Sequence, residues 1–518
     1  MKTLLVSLLP ALSLLAADYD VLITNARIAD GTGAPLIQGS VAIKEARMVT
    51  VGEVKGTATT VIDAKQQVVA PGFIDVHTHS EDIASKPMAE NFVRMGVTTI
   101  ITGNCGYSRT DVGAFFQELD DKGITINVAT LIGHGSVREQ GMGGRFIRAP
   151  NAEQLKTMQS LVEQAMKDGA VGMSTGLIYV PGSFAKTDEI VALAKIAAAH
   201  GGIYASHMRF ETAKIFGAID ELTTIAREAK VRAELSHIKL SSPAAWGKTA
   251  EVIAKLDKAR AEGLDITHDQ YVYTASSTKL GQLIPDAALE GTPKDFAKRL
   301  DDPEQWKKVV EGMLDILHRG QRTDYSYAVI ASCGWDRSLA GKTVPQAAKQ
   351  KLGSESLESQ IELILQIQRS GGASAIFHGI HEDDLRVFLQ HPLTMIASDG
   401  GPKDLRDAVT HPRSFGNNAR VLGQYVRELK LLTLEAAIHK MTSLPAQTFR
   451  LKDRGVLKPG AWADVVIFDP ATVMDKSTFD DPIHFSEGFS HVLVRGVPVL
   501  RDGKMTGTRP GHSLKFVP

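Results

Sequence analysis

Val68-Val69-Ala70-Pro71-Gly72-Phe73-Ile74-Asp75-Val76-His77-Thr78-His79 is the stretch on which the reading of this chain turns. An apolar run predicts a buried strand, and it ends in His-x-His. Side chains at i and i+2 of an extended segment project to one side, so both imidazoles can reach one metal ion. Imidazole suits zinc-like divalent ions, and a strand end holds such a pair stiffly. Alone the motif is a weak signal, because strand-end histidines are often no more than polar rim residues. Its weight comes from the segments around it.

Seven further apolar runs follow the first, ending near Thr102, Ile132, Ser174, His207, His237, Thr267 and Asp399. Amphipathic helical patterns separate most of them, such as 151–168 and 186–200. Alternating strands and helices imply a mainly parallel sheet, and eight such units are the number that closes a TIM-like (β/α)8 barrel. In that fold chemistry sits at the C-terminal ends of the strands. There the sequence places His77, His79, Cys105, His207, His237 and Asp399, all metal-ligand types. Each has a plain alternative: Cys105 as a small buried thiol, His207 and His237 as core histidines, Asp399 as a turn cap. Their joint placement on one rim favours a metal centre.

Short β-rich pieces flank this middle, at 19–28 and 39–43 before it and at 463–469 and 491–499 after it. They predict a small β-sandwich domain built from both chain ends, over 18–67 and 453–518, with the barrel over 68–452. The gap before the eighth strand is long, so an insertion near 280–370, rich in charged helix formers, is expected to wall or cover the site. At 518 residues the chain has ample length for a large core. A net charge of -1, without basic runs, gives no reason to expect a nucleic-acid partner and leaves small-molecule chemistry as the default. Lys2, the apolar stretch Leu4 to Leu15 and Ala16-Ala17 read as a secretory signal over 1–17, too short to span a bilayer. The expectation is therefore a periplasmic or secreted protein with no membrane attachment once the signal is removed. Two cysteines, Cys105 and Cys333, exclude a disulfide scaffold. A free thiol in an exported protein invites oxidation, and a metal bound to Cys105 would answer that hazard.

These residues resemble the amidohydrolase superfamily, and within it the N-acyl-D-amino-acid deacylase (D-aminoacylase) family. The resemblance runs from about Tyr19 onward and rests on Asn25-Ala26-Arg27-Ile28-Ala29-Asp30-Gly31, on the Pro71-to-Ser80 segment, Gly103-Asn104-Cys105-Gly106, Gly133-His134-Gly135-Ser136-Val137-Arg138, Ser206-His207-Met208-Arg209, Ser236-His237-Ile238-Lys239, Ser398-Asp399-Gly400 and Gly460-Ala461-Trp462-Ala463-Asp464. It implies one tightly held Zn2+ on Cys105, His207 and His237, and a second, weaker position on His77, His79 and Asp399. Hydantoinase-like branches bridge their metals with a carboxylated lysine after strand four. Here that strand ends Met173-Ser174-Thr175-Gly176-Leu177, without a lysine, which supports Cys105 as the substitute ligand.

The resemblance implies hydrolysis of N-acyl-D-amino acids, with zinc activating water and Asp399 moving its proton to the leaving nitrogen. Such a small-molecule substrate carries a free carboxylate and needs cations. Lys239 lies two residues beyond His237 on the same strand face, and Arg413 can form a bidentate pair. Tyr271, with Tyr273 as its alternative, and Ser277 match family residues that help hold the carboxylate. His134 and Arg138 are expected to shape the pocket. The alternatives are a dipeptidase acting on D-residue-containing dipeptides, a cyclic amidase or lactonase, a zinc deaminase, and a non-catalytic zinc-binding scaffold. Asp399 argues against the last, since a purely structural site needs no spare carboxylate.

Overall fold

Strand β1 (Tyr19–Ile28) buries Val21 and Ile23, then Ala26 and Ile28, because a bulge between Ile23 and Ala26 resets its phase. The structure, a computed structural model, describes residues 17–406 and 410–517, so the expected signal lies outside the described residues except for Ala17. β1 pairs antiparallel with β2 (Ile37–Lys44), which pairs with β3 (Arg47–Gly52). Its other edge is shared: β4 (Ala58–Asp63) runs parallel along its first half, and β5 (Val68–Pro71) along Arg27–Ile28. The apolar stretch from Val68 to Asp75 therefore divides. Val68–Pro71 joins the terminal sheet, and only β6 (Phe73–Asp75) belongs to the parallel core. Gly72 makes the crossing, where a Cβ would stand 2.1 Å from Thr98 Oγ1.

β6 pairs parallel with β7 (Val97–Thr102), and β7 with β8 (Asn127–Thr130). One residue further on, β9 (Ile132–Gly133) opens a second parallel sheet that continues through β10 (Gly172–Gly176), β11 (Ile203–His207), β12 (Arg232–Leu235) and β13 (Ile266–Gln270). Helices Ala152–Lys167 and Thr187–Ala199 lie where the sequence places them, the first opened by a reciprocal Asn151–Gln154 capping box. These parallel strands are buried almost throughout, as expected where both faces are covered.

After β13 the chain leaves the sheet. β14 (Ala275–Lys279), β15 (Ala328–Cys333) and β16 (Ala373–His378) form an antiparallel sheet in the order β14-β16-β15. With helices such as Pro303–Arg319 and Leu357–Arg369 they enclose a separate core around Phe296, Met313, Ile330 and Ile364. The excursion thus spans 275–378, wider than the expected 280–370, and its flanking strands carry a sheet as well as helices. β17 (Thr394–Ile396) returns to pair parallel with β13.

β18 (Val465–Phe468) pairs antiparallel with β5, and β19 (Phe489–Val494), β20 (Val497–Arg501) and β21 (Lys504–Met505) extend the sheet outward. The two chain ends do share one unit. Its nine described strands form one hydrogen-bonded sheet branching at β1, around a core that includes Val21, Ile43, Val465 and Leu493. The tail departs from the 453–518 expectation: Gly511, Leu514 and Phe516 donate backbone N–H groups to Ile124, Val128 and Gly169, at the starts of the parallel strands. Among the described residues no helix is long and apolar enough to cross a membrane.

Candidate metal centre

Every ligand-type side chain predicted from the sequence lies just beyond, or at, the C-terminal end of a parallel strand. His77 and His79 follow β6, Cys105 follows β7, His207 ends β11, His237 follows β12 and Asp399 follows β17. The Cys105 loop is held locally: the Asn104 side-chain amide donates to the carbonyls of Ile101 at 3.1 Å and Val76 at 3.2 Å. At the end of β10, a Cβ on Gly176 would fall 2.1 Å from the Cys105 carbonyl oxygen. The cysteine loop therefore occupies the space into which a longer residue after the fourth parallel strand would project.

The buried Cys105 Sγ is the hub, 3.3 Å from His77 Nε2, 3.5 Å from His237 Nε2 and 3.6 Å from His207 Nδ1. Sulfur and nitrogen ligands of a tetrahedral zinc, bonded at about 2.3 and 2.0 Å, stand about 3.5 Å apart. The donor spacing fits that ion. A second group overlaps the first, with Asp399 Oδ1 3.1 Å from His79 Nε2 and 3.7 Å from His77 Nε2. His79 is the outermost, its side chain 38% exposed. Burial, and then the Asp399 carboxylate, pushes the Cys105 thiol far above its ordinary range, so the thiolate needs a cation beside it. Burial, against the opposing Glu211 charge at His207 and reinforced by the Lys239 charge at His237, leaves both imidazoles well below their usual pKa and therefore neutral, the ligating form. For Asp399, burial opposes ionisation, but Arg413, with His77 and His79 beside it, holds the carboxyl well below the carboxylate range.

A second layer orients these groups. Asp269, on β13, places Oδ2 3.2 Å from His77 Nδ1 and accepts the His237 backbone N–H on Oδ1 at 3.0 Å. Glu211 Oε1 lies 3.1 Å from His237 Nδ1, and it pairs with Lys239 Nζ at 2.6 Å. Carboxylates behind imidazole ligands fix ring orientation and tautomer. Lys239, on the rim as expected, thus has its charge already compensated. Arg413 forms an ion pair with Asp399 at 2.8 Å and donates to the Ser277 carbonyl at 3.3 Å, with its guanidinium 4.6 Å from the Tyr271 ring centroid. Tyr273, expected on the same side as Tyr271, turns away to Asp475 at 3.2 Å because the backbone bends after Gln270. A cavity of about 360 Å³ opens over the cluster, lined by His79, Cys105, Tyr179, Lys239, Ser277 and Asp399 among others.

An amidohydrolase family model matches residues 339–500. The N-acyl-D-glutamate deacylase of Alcaligenes xylosoxydans xylosoxydans is 35% identical over 520 residues, covering 96% of each chain. The chain belongs to the N-acyl-D-amino-acid deacylase family of amidohydrolases. A D-aminoacylase from the same organism is 33% identical over 96% of this chain and 97% of its own length. Among solved structures, an N-acyl-D-glutamate deacylase from Bordetella bronchiseptica, complexed with zinc and a phosphonate that mimics the tetrahedral intermediate, superposes with a TM-score of 0.81 at 33% identity, covering 96% of this chain and 99% of that one.

Four residues of this deacylase-family chain expected at the pocket do not line the cavity itself: Tyr271 and Arg413, buried next to its Ser277 wall, and His134 and Arg138, which both hold Glu189 at 2.9 Å in a buried cluster. Three others at the site escape the sequence reading. Asp269 is hidden because the seventh apolar run ends at Thr267, before the polar His268-Asp269-Gln270 that completes β13. Glu211 lies in the loop after β11, outside any strand pattern, although its spacing of four from His207 is a usable signal. Tyr179 lies beyond β10, with its ring centroid 5.0 Å from that of His207.

Proposed function

We propose that this chain hydrolyses the amide of N-acyl-D-amino acids, releasing a carboxylate and a free D-amino acid, with zinc at the Cys105 cluster. The observation that carries the reading is one buried thiol within 3.6 Å of three imidazoles, with an ionised carboxylate beside them. The D-amino-acid class rests on the relatives' activities, N-acyl-D-glutamate deacylase and D-aminoacylase among them. Cys105, His207 and His237 would hold the principal zinc, and His77, His79 and Asp399 a second, weaker position. Zinc held there supplies a Lewis acid and water of lowered pKa.

The rest of the chemistry belongs to the protein. Asp399 is ionised and accepts a proton from the attacking water, then returns it to the scissile nitrogen, which leaves poorly unless protonated. Arg413 fixes one Asp399 oxygen and faces Ser277, placing a cation where the substrate carboxylate is needed. Tyr271, buried with its hydroxyl unpartnered and its ring against Arg413, backs that site. The Tyr179 hydroxyl accepts from Thr278 at 3.1 Å, which leaves its own proton free to donate to the substrate carbonyl oxygen.

The same reading includes a closed (β/α)8 barrel. It is supported at one seam by the continuous run from β8 to β9, and at the other by bonds from Asp399 N to the His77 carbonyl at 2.9 Å and from His79 N to the Gly400 carbonyl at 2.7 Å. A density map with these last strands separated would overturn closure. The functional test is amine release from N-acetyl-D- and N-acetyl-L-amino acids, with zinc measured in the same preparations. Release from the D-series is expected in the wild type, and Asp399→Asn is expected to keep the Cys105-site zinc while losing at least a hundredfold in kcat. Near-wild-type turnover by Asp399→Asn removes that residue from the mechanism.

A further inference from the structure

A larger cavity, of about 470 Å³, adjoins the one over the metal cluster, and the two share Tyr107, Tyr179, Lys279 and Ser374 as a common wall. β14 leads from one to the other. Ser277, whose carbonyl accepts from Arg413, lies in the inner cavity. Lys279, two residues on and so on the same strand face, is exposed at the junction, with Nζ 5.1 Å from the Tyr107 ring centroid.

Charge pairing sets Lys279 apart. Lys239 is held by Glu211 at 2.6 Å, Arg413 by Asp399 at 2.8 Å, and Arg145, across the larger cavity, by Glu139 at 2.9 Å. Among the described residues no carboxylate lies within 4.0 Å of Lys279. The mouth of the site therefore carries one uncompensated positive charge. Successive same-face residues of a strand stand about 6–7 Å apart. A substrate whose α-carboxylate lies by Arg413 and Ser277 can thus bring a second anionic group to Lys279 without leaving the cavities.

Resting on the deacylase reading, we propose that Lys279 is a specificity-determining residue that binds a second carboxylate of the substrate. That carboxylate can come from an acidic amino-acid side chain or from a dicarboxylic acyl group, since both present the same anion. The test compares kcat/KM of the zinc-loaded wild type and Lys279→Met for N-acetyl-D-methionine, N-acetyl-D-glutamate and N-succinyl-D-methionine. In Lys279→Met the ratio of a dianionic substrate to N-acetyl-D-methionine is expected to fall about tenfold, the range of a hydrogen bond to a charged group, and Lys279→Arg to recover most of it. A fall confined to N-acetyl-D-glutamate assigns the side chain, and one confined to N-succinyl-D-methionine assigns the acyl group. Unchanged ratios for both overturn the proposal. If the wild type releases no amine from any of the three, the deacylase reading fails instead. Calorimetric binding of the two dianions to wild type and Lys279→Met then decides the role of Lys279, equal affinities overturning it.

Discussion

Cys105, His237 and Asp399 hold φ values of 53°, 37° and 50°, in the left-handed region that side chains with a Cβ seldom adopt. All three sit where a strand ends and the chain turns sharply to aim a side chain inward, and such backbone persists only when its surroundings fix it. Tyr179 acts at the same scale. Its ring packs on His207 while its oxygen is tied to Thr278, so Tyr179→Phe removes a proton donor without removing a candidate ligand. The variant is expected to retain its zinc and to lose roughly ten- to a hundredfold in kcat, with KM little changed. Steady-state kinetics beside metal analysis checks this, and wild-type kcat would exclude the phenol from the reaction. The candidate ligands were legible because each ends or closely follows an apolar run. Glu211 and Tyr179 were not, since loop residues carry no periodicity to reveal which way they face.

Between elements, the helix Leu434–Met441 packs against β17 through Lys440, whose buried ammonium donates to the carbonyls of His391 and Thr394. Burial pulls the Lys440 pKa from 10.5 down to about 8. Below pH 8 folded and unfolded chains both carry the proton, so the cost is constant. Between about 8 and 10.4 the unfolded chain binds more protons, and the lysine's contribution to stability rises with pH. Relative to non-titrating Lys440→Met, the wild type is expected to gain roughly 2–3 kcal/mol over that window. Urea unfolding at pH 7.5 and 10.5 measures it, and a pH-independent difference contradicts it. Strand reading from the sequence succeeded where burial on both faces made runs apolar. It stopped short at β13, whose last residues are polar His268, Asp269 and Gln270 buried in networks. It also missed β14, because Ser276-Ser277-Thr278 has no apolar face to alternate, and β15 and β16, short apolar runs set among the charged helix formers of the insertion.

Across the whole molecule, the tail ties the terminal sheet to the opposite end of the parallel strands from the metal cluster. Besides its backbone bonds, Ser513 donates through N and Oγ to Asp120 at 2.9 and 2.7 Å, while Leu514 and Phe516 pack on a cluster with Ile74, Val171 and Ile203. Deleting 511–518 uncovers that cluster far from the chemistry. The shortened chain is expected to melt at least a few degrees lower, as follows from losing about 1–3 kcal/mol, while its kcat at low temperature stays within about twofold of wild type. Calorimetry and kinetics on the shortened chain test this, and an unchanged Tm refutes the bracing role. That the chain ends join in one unit was legible from their matching β patterns. The tail was not, since a segment paired by its backbone to distant strand starts carries no local signature.

β5 and β18 meet edge to edge although roughly 400 residues separate them along the chain. At a synthesis rate of about 5–20 residues per second, the first ribbon waits some 20–80 s on the ribosome before its partner exists. For that interval the edge of β5 offers bare amides and carbonyls to any passing strand. Slowing or stalling translation between residues 71 and 465 should therefore harm the yield of this protein more than equal delays placed before β5 is made.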